Sequence, residues 1–186
     1  MNREKRKKEI EQAFRDAYVR LVRNNGAGKV TVASLCREAD LSRGTFYLHY
    51  QDIPSFLSAI EEQITNEIIA IRREYQYDSN FLPMLEHLFS YIQENAEIVF
   101  TVLDQSGGNA LAVLNQEAYD RSLSAWSKKS KLPPEQLRLI LTYSTTGSWA
   151  MLRQWWLSGY TVDKQTAKSL YDGVIKYGIY NFILPS

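Results

Sequence analysis

Apolar residues recur in this 186-residue chain with the period of an α-helix, and no segment alternates with the period of a strand. Ile10, Phe14, Ala17, Tyr18 and Leu21 fall at i, i+4, i+7, i+8 and i+11, one face of a first helix. Asn24-Asn25-Gly26 tolerates positive φ and predicts its stop. Thr31 is the expected N-cap of a second helix, with Val32, Leu35, Cys36 and Ala39 inward. Ser42 is the expected cap of a third, whose inner positions are Phe46 and Tyr50. Asp52 and Pro54 open a fourth, carried by Phe56, Leu57, Ile60, Ile64, Ile68 and Ile71 to about Tyr75, roughly 30–35 Å long.

A turn is expected over Tyr77–Asn80, then a helix from Phe81 to Glu94 and a separate short apolar element over Ile98–Leu103. Helices are expected from Ala110 to Ser130, from Pro133-Pro134-Glu135 to about Ser158 with Gly159 as stop, and from an Asp163 cap to about Phe182. The expectation is an all-α fold of nine helices, without repeats or low-complexity tracts.

Composition excludes several classes. No apolar run approaches a membrane span, and no apolar signal-peptide core follows the basic start. A single cysteine, Cys36, permits no intrachain disulfide and fits a reducing cytoplasm. A net charge of +1 taken as an average speaks against nucleic acid, but the charge is unevenly placed. Residues 1–50 hold 11 Lys/Arg and 6 Asp/Glu, a net of +5; residues 51–186 hold 11 and 15, a net of −4. A basic module on an acidic body is the footprint of a small nucleic-acid reader.

Residues 31–50, TVASLCREADLSRGTFYLHY, describe a helix-turn-helix: two short helices, a tight turn, and small and polar groups on the second. The first helix and Leu41 pack inward and hold the second at a fixed angle. Arg43 is the long donor at its start, suited to guanine O6 and N7. Gly44 allows close backbone approach. Thr45 offers a hydroxyl, or a methyl to thymine. Tyr47 and His49 face outward, toward phosphates. Arg3, Lys5, Arg6, Lys7 and Lys8 form either a basic arm that reaches the DNA backbone or a solvated, frayed start.

At these residues the chain resembles the TetR family of transcriptional regulators. The resemblance rests on Thr31-Val32 opening the second helix, Ala39-Asp40-Leu41-Ser42 at the turn, and Arg43 to Tyr50 as recognition helix. It covers roughly residues 8–60. Asp40 stands where the family usually has Gly. Tyr50-Gln51-Asp52-Ile53 replaces the common Phe-Lys-x-Lys, so two phosphate-binding lysines are absent and an amide takes the place of one. The resemblance implies DNA contacts from Thr31, Ser42, Arg43, Gly44, Thr45, Tyr47, His49 and Gln51. It implies a helix-turn-helix domain over residues 1–52 and a ligand-binding and dimerisation domain over residues 53–186.

All four Trp residues lie beyond residue 75, with most of the other rings. Phe89, Phe100, Trp126, Tyr143 and Trp149 are candidates to line a cavity for a small apolar effector, or to be ordinary core. His87 is isolated, with no second His or Cys at metal-ligand spacing. Thr142–Gly147, Trp155-Trp156, Tyr171, Tyr177, Tyr180 and Phe182 make the last two helices candidates for a homodimer interface. The expected function is a cytoplasmic, homodimeric, effector-responsive regulator, most often a repressor in this family, on double-stranded DNA with a near-palindromic operator. The alternative is a co-regulator of the same fold that acts mainly through a partner protein. An enzyme is disfavoured, since no phosphate loop, metal cluster or nucleophile motif is present, and no cofactor is expected.

Overall fold

In a computed structural model, residues 3–75, 82–105, 107–126 and 130–179 are described. They form α1 (Arg3–Asn25), a 3₁₀ turn (Ala27–Lys29), α2 (Val32–Glu38), α3 (Arg43–His49), α4 (Ile53–Glu74), α5 (Leu82–Gln105), α6 (Asn109–Trp126), α7 (Pro134–Leu157), α8 (Lys164–Gly173) and a π-helical continuation (Val174–Ile179). The described residues contain no strand. The Tyr77–Asn80 turn, Phe81, Tyr180 and Phe182 lie outside the described residues.

The described α-helices number eight rather than nine. Ile98–Leu103 is not a separate element but the end of α5. Asn95-Ala96-Glu97 contains neither Gly nor Pro, so nothing breaks the backbone there. Ala96 and Val99 also continue the buried stripe of Leu85, Phe89 and Ile92. The expected end of the final helix, near Phe182, lies outside the described residues. The regular part of this helix stops at Gly173, and the chain widens into a π-helix with Gly178 near its end. Glycine at both places lowers the preference for regular α-geometry. Arg3 to Lys8 stand on the exposed first turns of α1 and not on an extended arm.

The caps follow the sequence expectations. Thr31 Oγ1 accepts from the Ser34 amide at 3.1 Å, and Ser34 Oγ accepts from the Thr31 amide at 2.9 Å, a reciprocal capping box. Ser42 Oγ accepts from the Thr45 amide at 2.9 Å, Asp52 Oδ1 from Ser55 at 2.8 Å, and Asp163 Oδ1 from Thr166 at 3.0 Å.

The chain divides into two compact units. The first comprises Met1–Ile64 and Glu97–Gly107; the second comprises Thr65–Ala96 and Gly108–Ser186. An aromatic cluster fills the first. Phe14, Tyr18, Phe46 and Phe56 have no exposed surface. Phe14 meets Phe46 edge-on at 5.5 Å, and Tyr50 meets Phe56 at 5.0 Å. Burial pushes the Tyr50 phenol up to about 12, with Glu11 adding to the shift and Arg15 opposing it. Tyr18 Oη donates to Gln105 Oε1 at 2.5 Å, and Arg23 Nε donates to Glu97 Oε1 at 2.7 Å, so the end of α5 is bonded to α1 within this unit.

Asp40 lies between α2 and α3 with φ of +53°, the left-handed region. Its short polar side chain tolerates that geometry where a branched chain does not. Asp40→Val is therefore expected to lower the stability of the first unit by roughly 1–2 kcal/mol, with Asp40→Gly no less stable than wild type. Equilibrium urea denaturation of the three proteins measures this.

In the second unit Glu86 on α5 pairs with Lys164 at 2.7 Å and with Lys168, both on α8. Hydrogen bonds from the two ammonium groups lower its carboxyl pKa to about 2 from 4.5. A depressed carboxylate contributes stability above its unfolded pKa and loses that contribution as pH falls toward the folded value. The link between α5 and α8 should therefore weaken between about pH 4.5 and pH 2. An NMR titration should place the Glu86 carboxyl midpoint near the lower limit, and Lys164→Met should move it upward. An unmoved midpoint would show that Lys164 does not hold it.

Candidate nucleic-acid interface

The turn is locked from within. The Leu41 amide donates to the Cys36 carbonyl at 3.0 Å, and the Cys36 thiol to the Ser42 carbonyl at 3.7 Å. Cys36 is buried, and burial raises its pKa while the Arg43 charge opposes this. It is a small, protonated core residue that ties α2 to the start of α3.

At about 100° per residue, α3 divides into two faces. Phe46 is buried, and Thr45 and His49 are half-buried beside it. Taking Arg43 as zero, Tyr47, Gly44 and Leu48 follow at about 40°, 100° and 140°, one continuous arc. All four are exposed, Tyr47 at 59% and Leu48 at 86%. A Cβ on Gly44 would meet only Ser42 Oγ, at an ordinary 3.5 Å. Nothing inside the unit requires glycine there, and helical glycine costs up to about 1 kcal/mol relative to alanine.

The eight residues expected at DNA therefore occupy different roles. Arg43, Gly44 and Tyr47 share the open arc. Ser42 and Thr45 are bonded to each other, Oγ to Oγ1 at 2.9 Å, and fix the start of α3. Thr31 fixes the start of α2 in the same way, with its flank exposed. His49 is half-buried, its ring centroid 5.9 Å from that of Tyr50. Gln51 is exposed beyond α3, its amide N–H held by Ser55 Oγ at 3.0 Å. The sequence reading omitted Leu48. Its position on the helical wheel beside Gly44 is the signal that marks it.

The aromatic candidates separate. Phe100 belongs to the first unit, while Phe89, Tyr143 and Trp149 belong to the second. Phe89 is fully buried against Trp155 at 5.3 Å and Tyr171 at 5.8 Å. Trp149 is buried under the Arg72 guanidinium, 5.6 Å from the ring centroid. Among the described residues its indole N–H has no hydrogen-bond partner. Tyr143 is 68% exposed and lines an open groove of about 120 Å³ with Ser144, Gly147, Met151, Tyr171 and Val174. Trp126 closes α6, and its side chain lies outside the described residues. Trp155 is enclosed, its indole N–H donating to the Val162 carbonyl at 2.7 Å, so it cannot act as the surface anchor expected of it.

A TetR-family model described as "Transcriptional regulator C-terminal region" matches residues 79–176, more than half of the chain. The chain belongs to the TetR family of transcriptional regulators, a class whose members are generally not enzymes. Solved structures repeat the fold at low identity. A TetR-like transcriptional regulator from Rhodococcus sp. RHA1 is 16% identical, with 91% of this chain and 95% of that one covered and a TM-score of 0.70. SmeT, the repressor of the Stenotrophomonas maltophilia multidrug efflux pump SmeDEF, is 13% identical, covering 95% and 91% at a TM-score of 0.68. The dihydroxyacetone kinase operon activator DhaS is 18% identical, covering 95% and 98% at 0.62. A search of curated proteins finds no match. Among the described residues no helix is long and apolar enough to cross a membrane, and no group of His, Cys, Asp and Glu is arranged to hold a metal.

Proposed function

We propose that this regulator is a homodimer that binds a near-palindromic DNA operator through α3, represses transcription there, and releases DNA when a small molecule binds the domain formed by residues 53–186. The observation that carries the reading is the exposed arc of Arg43, Gly44 and Tyr47 on a helix whose opposite face is buried aromatic core. Thr31, Ser42, Thr45, His49 and Gln51 flank that arc as phosphate-side donors and as the bonds that orient it. Residues 1–52 are the DNA-binding domain in this reading. A twofold dimer would set two copies of α3 about 34–36 Å apart, one turn of DNA.

The apolar surface of α7, α8 and the π-helical segment supports dimerisation. Leu139 and Tyr143 on one helix, and Leu170, Val174 and Tyr177 after it, are each at least 56% exposed. A surface of this kind on a lone chain marks an interaction site. Tyr177→Glu combined with Tyr143→Glu is expected to shift the protein from dimer to monomer in sedimentation equilibrium, and to weaken operator binding by at least tenfold. A variant that remains dimeric would remove these helices from the interface.

Effector control works through a population shift: a ligand that binds one dimer conformation better lowers DNA affinity by its differential affinity. Phe89, Trp126, Tyr143 and Trp149 are the candidates for that ligand in the second unit, and Phe100, which belongs to the first unit, is not among them. The deciding experiment is gel retardation of the protein's own upstream DNA across a salt series. Tight, salt-sensitive retardation at a defined site supports the reading. The second reading, a co-regulator that needs a partner protein, is motivated by Gln51 and Ile53 in place of the usual lysines. It gains if retardation by the protein alone is weak and non-specific.

A further inference from the structure

Leu48 is the most exposed of the large hydrophobic residues described in the chain, at 86%. A leucine left open to water in a folded unit gains nothing by staying there. It is also not isolated from the polar site. It stands one helical turn from Gly44, at the end of the arc that begins with Arg43. Gly44 presents bare backbone, and the space a Cβ would take there meets no other side chain within 4 Å than Ser42, so a partner that contacts Arg43 can settle onto this face and reach Leu48. The unit around it is basic, with a net of +5 over residues 1–50. A partner that is anionic overall, and yet offers an apolar group on its recognised edge, fits all of these features. In the major groove that apolar group is the 5-methyl of thymine.

From this juxtaposition we infer that Leu48 determines part of the operator sequence: it covers a thymine methyl in each half-site, while Arg43 donates to a base edge nearby. The inference rests on the DNA-binding reading above and adds the base that this position selects. Arg43 supplies hydrogen bonds at one end of the arc, and Leu48 supplies an apolar contact that the thymine methyl fills best in the major groove. Thr45 carries the other methyl on α3, but it is half-buried and bonded to Ser42, which leaves Leu48 as the open one.

The test uses the full-length protein and duplexes that it selects itself from a pool of 30-base-pair DNA with a randomised centre. Each thymine of the selected site is replaced singly by deoxyuridine, which lacks only the methyl. For wild type, one symmetry-related position per half-site is expected to lose about three- to fivefold in affinity per methyl removed. For Leu48→Ala, the thymine duplex should bind more weakly by a similar factor, and the same deoxyuridine should cost less than twofold. Thermal denaturation of Leu48→Ala should match wild type, because the side chain touches solvent. Leu48→Gln should lose the methyl dependence in the same way. If a site is selected but the uridine scan is flat, or if Leu48→Ala keeps the same sensitive position, the Leu48 inference is overturned while DNA binding stands. If no duplex is enriched, the DNA-binding reading falls and this inference with it.

Discussion

Arg43→Ala is expected to remove sequence-specific DNA binding without unfolding the protein. Arg43 is the first residue of α3 and is exposed, so its truncation leaves the aromatic core intact. Its planar fork is the group on the arc that can make two parallel bonds to a guanine edge. One such contact is worth roughly 1–3 kcal/mol. Two copies in a dimer make the expected loss roughly one and a half to four orders of magnitude in affinity. Arg43→Lys keeps the charge and loses the fork, so it should fall between the two, with relaxed sequence preference and a largely preserved salt slope. Gel retardation of specific and scrambled duplexes over a salt series separates these effects. Unchanged discrimination between the two duplexes in Arg43→Ala would remove this residue from base recognition.

Phe46→Ala should act on the opposite face of the same helix, through stability. Phe46 has no exposed surface, and its ring lies 5.4 Å from Tyr50, 5.5 Å from Phe14 and 6.2 Å from Phe56. Truncating a buried phenylalanine costs about 3–5 kcal/mol through lost transfer energy and the cavity left behind. Small folded proteins hold only about 5–15 kcal/mol in total. The first unit should therefore be largely unfolded at physiological temperature or close to it, and DNA binding should be lost although Phe46 faces inward. Phe46→Leu, which refills most of the volume, should cost much less. Chemical denaturation followed by tryptophan-independent far-UV circular dichroism distinguishes this from the Arg43 effect, in which the unfolding midpoint is unchanged. A stable Phe46→Ala protein would mean that α3 is not held by this cluster.

Together the two substitutions test the division of α3 into a held face and a free face. That division was partly legible from the residues alone. Phe46 and Tyr50 are four apart and apolar, and Arg43, Tyr47 and Gly44 follow on the adjoining arc of the wheel. Leu48 was less legible, because leucine on a short helix is ordinarily core; its wheel position beside Gly44 hints at the open face, and its exposure in the folded unit decides it. The turn at Asp40 was readable because a short polar side chain is one of the few that tolerates positive φ. The continuity of α5 was readable in principle, since no breaker separates Glu94 from Ile98, but the change in buried partners along it was not. Residues up to Ala96 belong to one compact unit and residues from Glu97 to the other.

The roles of the aromatic residues show the limit most clearly. Tyr143 and Phe89 have the same kind of ring on the same kind of helix, yet one is 68% exposed and the other is fully buried. Trp155, a candidate for the homodimer interface with Trp156, is enclosed and hydrogen-bonded to Val162. Caps, turns and helical spans were set by residues within three or four positions of one another, as with Thr31 and Ser34, Ser42 and Thr45, or Asp163 and Thr166. Their bonds close within a single turn of chain, so a linear reading contains both partners. Burial, the choice between core and surface, and the free arc on α3 depend on side chains brought together from distant positions. Phe14 meets Phe46 across 32 residues, and Glu86 meets Lys168 across 82. No local pattern contains both members of such a pair, and packing alone settled which rings hold the fold and which stand exposed.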